Sequence, residues 1–254
     1  NFPMNLAVHK IAPAIAAGNP IILKPARSTP LSVLELAKII HDTGLPKGAV
    51  SILPMDRESG NQLVTDERFA MLTFTGSPDV GWKMKKEAGK KKVTLELGGN
   101  AGVCISESAN VEQAVKRCLI GGFAYSGQVC IHTQRIFVQE KIFDEFSGKF
   151  TEKTKKLKYG DPADPGTDIS VMIDEENALR VENWVKEAQH NGAELLTGGE
   201  RNGLYFQPTV ITNTRPEMKV CSREIFGPVV TLEKYANYDE ALHVMNNSEY
   251  GLQA

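Results

Sequence analysis

Between residues 21 and 97 the chain alternates short apolar runs with stretches of helical periodicity, and this alternation restricts the fold more than any other feature. Residues 21–24 read as a short buried strand. Ser28-Thr29-Pro30 marks a helix start, proline being tolerated in a first turn. Leu34, Leu36, Ile39 and Ile40 then form one helical face that runs to Gly44. Residues 50–53 are the next strand, 59–65 a short helix, 70–74 a strand, 77–89 a helix, and 93–97 a strand ending in Gly98-Gly99. Repetition of this kind predicts an α/β fold built on a parallel sheet.

A second series follows. Residues 102–105 are an apolar strand, 111–123 a long helix carrying Cys118, 135–139 a strand and 142–157 a helix. Tyr159-Gly160-Asp161-Pro162-Ala163-Asp164-Pro165-Gly166 is a loop by composition. Residues 175–190 are helical, with Gly192 just past the end. Strands are expected near Leu195, near Val210 and over 229–232, and a last helix over 239–245. No internal repeat or low-complexity tract is present. The expected organisation is two domains, 1–98 and 99–254.

At 254 residues the chain can bury a large core. Its 29 basic and 31 acidic residues leave a net charge of −2, which gives no reason to expect nucleic acid or an anionic membrane as a partner. Apolar runs such as Pro20-Ile21-Ile22-Leu23 are far too short to span a bilayer, and no charged-then-apolar segment opens the chain. The four cysteines, Cys104, Cys118, Cys130 and Cys221, form no Cys-x-x-Cys pair, and no histidine cluster completes a metal site. They read as reduced thiols of a cytoplasmic protein, one of them catalytic.

That one is Cys130, in Gly127-Gln128-Val129-Cys130. The thiolate is the attacking species, so a catalytic cysteine needs donors or positive potential and a reachable position. His132 would share a face with Cys130 in an extended segment. The residues alone therefore leave three readings: an activated nucleophile, a Cys–His pair as in cysteine hydrolases, and an inert buried thiol. Glu96 ends an apolar strand before two glycines that let other groups approach closely. Burial there would raise its pKa and suit it as a general base; a salt-bridged surface glutamate is the other reading. Thr75-Gly76-Ser77 opens a helix whose N–H groups suit a pyrophosphate, although no Gly-x-Gly-x-x-Gly follows a strand.

Six motifs in order, Asn1-Phe2-Pro3, Lys24-Pro25-Ala26, Phe74-Thr75-Gly76-Ser77, Glu96-Leu97-Gly98-Gly99, Gly127-Gln128-Val129-Cys130 and Glu224-Ile225-Phe226-Gly227-Pro228, resemble the aldehyde dehydrogenase superfamily. The resemblance spans essentially the whole chain. It implies a Rossmann-like cofactor domain without the usual glycine fingerprint, followed by an α/β catalytic domain, both incomplete at the ends of this chain, which begins inside a motif and without Met. It implies oxidation of an aldehyde with NAD or NADP. Cys130 would be the nucleophile, Glu96 the base that activates water, and Asn1 an oxyanion donor. Lys24, Gly60, Gly76, Ser77, Leu97, Glu224 and Phe226 would meet the cofactor, Glu224 at the nicotinamide ribose and Phe226 beside the ring. Read alone, Glu224 to Pro228 is equally a strand entry with a core phenylalanine. Arg27 departs from the glutamate common in NAD-preferring relatives; it suits a 2′-phosphate or is a solvated surface residue. The intact protein is expected to be a homodimer or homotetramer.

Glu96 favours hydrolysis over transfer of the acyl group to coenzyme A; a non-catalytic structural relative is the other class of reading. His132, Thr133 and Arg135, polar and close to the nucleophile, and the ending Asn247-Ser248-Glu249-Tyr250-Gly251-Leu252, which resembles the lactaldehyde and glyceraldehyde-phosphate branches, lean the substrate toward small oxygenated aldehydes.

Overall fold

The computed structural model describes residues 1–253. The chain divides into two compact units, Asn1–Leu97 and Gly98–Ala254.

The first unit runs α1 (Pro3–Ala16), β1 (Ile21–Leu23), α2 (Leu31–His41), β2 (Val50–Ile52), α3 (Arg57–Thr65), β3 (Met71–Thr75), α4 (Pro78–Glu87) and β4 (Lys92–Glu96). β1 pairs in parallel with β2, and β3 with β4, Thr75 lying opposite Glu96. Ala7 and Ile11 of α1 pack with Leu23 and Val33 as its core. The apolar periodicity finds every element here except α1, which carries Pro3 at its first position and Pro13 in its interior. Proline is accommodated at a helix start but is a helix breaker within one, so the pattern conceals this helix.

The second unit runs β5 (Ala101–Ile105), α5 (Val111–Phe123), a 3-10 turn (Ala124–Gly127), β6 (Thr133–Gln139), α6 (Glu140–Lys155), α7 (Glu175–His190), β7 (Glu194–Thr197), β8 (Arg201–Asn202), β9 (Tyr205–Phe206), β10 (Thr209–Thr212), α8 (Lys219–Ser222), β11 (Val229–Tyr235) and α9 (Tyr238–Asn246). Five strands form one sheet in the order β5-β6-β11-β10-β7, parallel except for the antiparallel edge strand β7. Alternate residues of each strand point to opposite faces. Ile136, Val138, Val210, Val230 and Leu232 pack with Val115, Phe123, Phe146 and Phe150 of α5 and α6. Ile211 and Val229 pack with Ala178, Val181 and Val185 of α7, and Phe137 and Tyr235 with Ala241 of α9. Helices on both faces of a mainly parallel sheet make a three-layer α/β unit.

Among the described residues, no helix is long and apolar enough to cross a membrane, and no group of His, Cys, Asp or Glu side chains is placed to hold a metal ion.

Candidate active site

In the second unit, glycines bring three of the sequence motifs together. A Cβ at Gly98 would collide with the Glu224 carboxylate, one at Gly99 with the carbonyl oxygen of Cys130, and one at Gly127 with the carbonyl oxygen of Gly227. Only a residue without a side chain lets these backbones approach so closely. Gly99 also donates its N–H to Glu224 Oε1 at 2.9 Å. The Gly98-Gly99 backbone is therefore a floor against which the Cys130 carbonyl and the Glu224 carboxylate both rest.

The turn that delivers Cys130 is strained. Tyr125, Ser126 and Gly127 are all left-handed, with φ of 54°, 57° and 66°. For a residue with a Cβ this conformation costs on the order of 1–2 kcal/mol, and here side-chain bonds hold it. Ser126 Oγ donates to the Ser170 carbonyl at 3.2 Å and accepts from its N–H at 3.0 Å. Gln128 donates to the Val171 carbonyl at 3.3 Å and accepts from Ile173 N–H at 2.9 Å. Cys130 emerges half-buried. Burial pushes the thiols of Cys118 and Cys221 up to about 11, so these two are held as unreactive thiols; it moves the thiol of the half-buried Cys104 upward as well.

The polar residues after Cys130 do not line a site as the sequence suggests. His132 is fully buried, and its Nε2 lies 2.8 Å from the Gly122 carbonyl. Burial lowers its pKa to about 4, and Nδ1 has no hydrogen-bond partner. A ring held in this way is no base for Cys130, so the Cys–His hydrolase reading falls. Arg135 is also buried, donating to the carbonyls of Asn100, Val244 and Met245. The side chain of Thr133 lies against Gly121. Short-range polarity in this stretch serves the interior, and it no longer supports a lean toward oxygenated aldehydes.

Phe226 has φ of 44°, an outlier for a bulky residue, and such strain collects at functional positions. Its neighbour Glu224 is held by Gly99. Burial raises the Glu224 carboxyl pKa, against the lowering effects of the Gly99 N–H and the Arg180 cation.

In the first unit, Glu96 ends β4 with its side chain exposed. The burial expected for it is not found, because the strand's inward alternation places residue 96 on the outward side. Lys10 of α1 approaches it instead. The half-buried Lys10 ammonium donates to Thr75 Oγ1 at 2.6 Å; burial lowers its pKa, and the Glu96 charge opposes that shift. Sequence reasoning missed Lys10, which belongs to no short motif and sits on the helix the prolines conceal. Asn1 is the exposed residue before Phe2, itself left-handed at φ 55° as it enters α1.

Lys24 follows β1, its Nζ 3.1 Å from the Pro25 carbonyl, and its alkyl chain lies on Gly60 of α3, where a Cβ would stand 2.9 Å from Lys24 Cδ. Gly60 thus makes room for Lys24. Gly76 is packed by the Phe74 ring and donates its N–H to the Glu96 carbonyl. Ser77 is the N-cap of α4, with Pro78 behind it and no side-chain capping bond. A helix start of this kind suits a phosphate, although Asp79 puts a carboxylate in the same turn. The Leu97 side chain packs over Gly81 of α4, leaving its main chain as the part able to meet a ligand. Arg27 is exposed in the turn before α2.

Residues 1–254 match the sequence profile of the aldehyde dehydrogenase family. A 3-sulfolactaldehyde dehydrogenase from Priestia aryabhattai is 46% identical over 255 residues, covering 100% of this chain and 54% of its own length. The crystal structure of aldehyde dehydrogenase 21 from Physcomitrella patens, in complex with its reaction product succinate, is 50% identical with a TM-score of 0.97, covering 99% of this chain and 53% of its own. A glyceraldehyde-3-phosphate dehydrogenase from Methanocaldococcus jannaschii complexed with NADP is 40% identical with a TM-score of 0.95, covering 99% of this chain and 56% of its own. Other solved relatives are complexed with NAD+. The chain spans about half the length of the relatives it matches.

Proposed function

The chain belongs to the aldehyde dehydrogenase family, and on that premise we propose that the intact protein oxidises a small aldehyde to a carboxylate with NAD or NADP, through a covalent intermediate on Cys130. The observation that carries this reading is the meeting of Cys130, the Gly98-Gly99 floor and Glu224 in the second unit, with the thiols of Cys118 and Cys221 withdrawn by burial.

The Cys130 thiolate adds to the aldehyde carbon and forms a thiohemiacetal. The oxygen becomes anionic, and the Asn1 amide with the Cys130 backbone N–H stabilises it. When bound, the oxidised nicotinamide supplies the acceptor for the hydride that leaves the same carbon. The product on Cys130 is a thioester. Glu96 takes a proton from water, which attacks the thioester and releases carboxylate and thiol.

The chain's residues fit the cofactor. Gly98 leaves space that the Glu224 carboxylate fills, which suits Glu224 to ribose hydroxyls, and Phe226 is the aromatic beside it. Lys24, laid over Gly60, would take the adenosine ribose, and the Gly76-Ser77 turn the pyrophosphate, with the Leu97 main chain available to the nicotinamide. Arg27 would favour a 2′-phosphate and with it NADP. The likeness to lactaldehyde-type relatives points to small oxygenated aldehydes as substrates.

In the intact protein Cys130→Ala should abolish aldehyde oxidation while leaving cofactor affinity and the melting temperature near wild type. Retained turnover would sink the assignment, and a collapsed fold would return Cys130 to the status of a buried structural thiol.

A further inference from the structure

We propose that Gln134 is a positioning residue for Glu224, fixing the backbone on both sides of it so that the carboxylate stays on the Gly98-Gly99 floor. The inference rests on the reading of Glu224 as a cofactor ligand and adds a residue that no motif contains.

Residues 223–227 run between α8 and β11, outside the sheet. Side chains satisfy the backbone groups that a ladder would otherwise pair. The Gln134 carboxamide donates to the carbonyls of Val220 at 2.8 Å and Arg223 at 2.7 Å, and it accepts from Ile225 N–H at 2.9 Å. Both ends of one amide are thus spent on the residues flanking Glu224. Asn100 Nδ2 adds a bond to the Cys221 carbonyl at 2.6 Å, Tyr250 Oη accepts from Glu224 N–H at 3.1 Å, and Arg180 Nη2 donates to the Ile225 carbonyl at 2.9 Å. Gln134 is 1% exposed, so water cannot replace what it supplies.

The adjacent residue holds the floor. Arg135 Nη2 donates to the Asn100 carbonyl at 2.9 Å, immediately after Gly98-Gly99. Successive residues of β6 point in opposite directions, and here one grips the Glu224 segment and the next grips the Asn100 carbonyl just before β5. Their common backbone sets the separation between the carboxylate and the Gly99 N–H. No apolar side chain can reproduce this, because it would leave two carbonyls and one N–H unpaired in the interior. A misplacement on the order of 1 Å in such a site is enough to cost about a hundredfold in function.

The test is a double-mutant cycle on the intact enzyme, with Gln134→Leu, Glu224→Gln and the pair, reading dissociation constants for NADH and NADPH by fluorescence together with kcat and the aldehyde KM. Gln134→Leu should weaken cofactor binding by about tenfold, equivalent to about 1.4 kcal/mol, with the aldehyde KM little changed. In the Glu224→Gln background the same change should have no further effect, since residues that act through one another are not additive. Gln134→Asn keeps the amide but draws it back by one methylene, and it should lie between wild type and Leu; it also carries the cycle if the Leu variant does not fold. A Gln134 effect that persists undiminished without Glu224 overturns the proposal. Normal cofactor binding by Gln134 variants beside a weakened Glu224→Gln overturns it while sparing the Glu224 reading. Normal binding by Glu224→Gln overturns both.

Discussion

Glu96→Gln keeps the size and hydrogen-bonding reach of the side chain and removes its ability to accept a proton. If Glu96 serves deacylation, thioester formation survives the substitution and hydrolysis does not. The intact variant should give a burst of reduced cofactor near one equivalent per site, followed by turnover slowed by about 10²–10⁴-fold, the range of general-base contributions. Stopped-flow absorbance at the reduced nicotinamide band checks this; a variant with neither burst nor turnover would put Glu96 in the first chemical step. Cys130 and Glu96 stand out in the sequence as candidates because each sits in a glycine-bearing motif, and those glycines are close-approach points for Glu224, Cys130 and Gly227. Lys10, Gln134 and Asn100 are not legible in this way. Each is one polar residue whose partner lies 65, 91 and 121 positions away, and only the fold brings them together. His132 and Arg135 mislead for the opposite reason: nearness to Cys130 in sequence says nothing about which way a side chain turns.

At the level of elements, apolar periodicity locates strands and helices wherever the residues agree with it. Helix α7 occupies residues 175–190 as the pattern predicts, with Asp174 accepting from Asn177 N–H at 2.8 Å as its cap. The pattern fails where a local rule is broken or an element is too short to show a period. The hairpin β8–β9 has two residues in each strand, and α1 contains Pro13. Pro13 has no N–H to offer the His9 carbonyl one turn back, and its side chain is exposed. Pro13→Ala should therefore stabilise the protein. Helix propensity favours Ala by about 3 kcal/mol in a helix interior, and the greater freedom of the unfolded Ala chain takes back roughly 0.4–1 kcal/mol. A gain of about 2 kcal/mol is expected, read as a higher urea midpoint at unchanged slope. A lower midpoint would mean that the proline geometry is needed for Ile11 and Ile15 to reach the core.

For the whole molecule, strand–helix alternation gives the α/β class, but the strand order β5-β6-β11-β10-β7 and the reversal of β7 follow from long-range packing that leaves no periodic mark. Burying so much of the second unit around its sheet has a consequence for stability against pH. His132 is neutral in the folded protein because burial lowers its pKa to about 4, whereas an unfolded histidine titrates near 6.5. As the pH falls below about 6.5 the unfolded chain takes up a proton that the folded chain refuses, so stability falls until about pH 4 and then levels off. Burial raises Glu224 and Glu233, and these act in the opposite sense: their contribution is present below the unfolded carboxylate range and is lost as the pH rises through their folded values. His132→Gln removes only the first effect and keeps a donor for the Gly122 carbonyl, while both carboxyls remain in either protein. The difference in unfolding free energy between wild type and variant should be flat above about pH 7. Between pH 6.5 and 4 it should shift in favour of the variant by up to roughly 3 kcal/mol, at about 1.4 kcal/mol for each unit of displacement. Parallel stability curves across that interval, measured by urea titration at fixed ionic strength, would mean that His132 takes up its proton without leaving the fold.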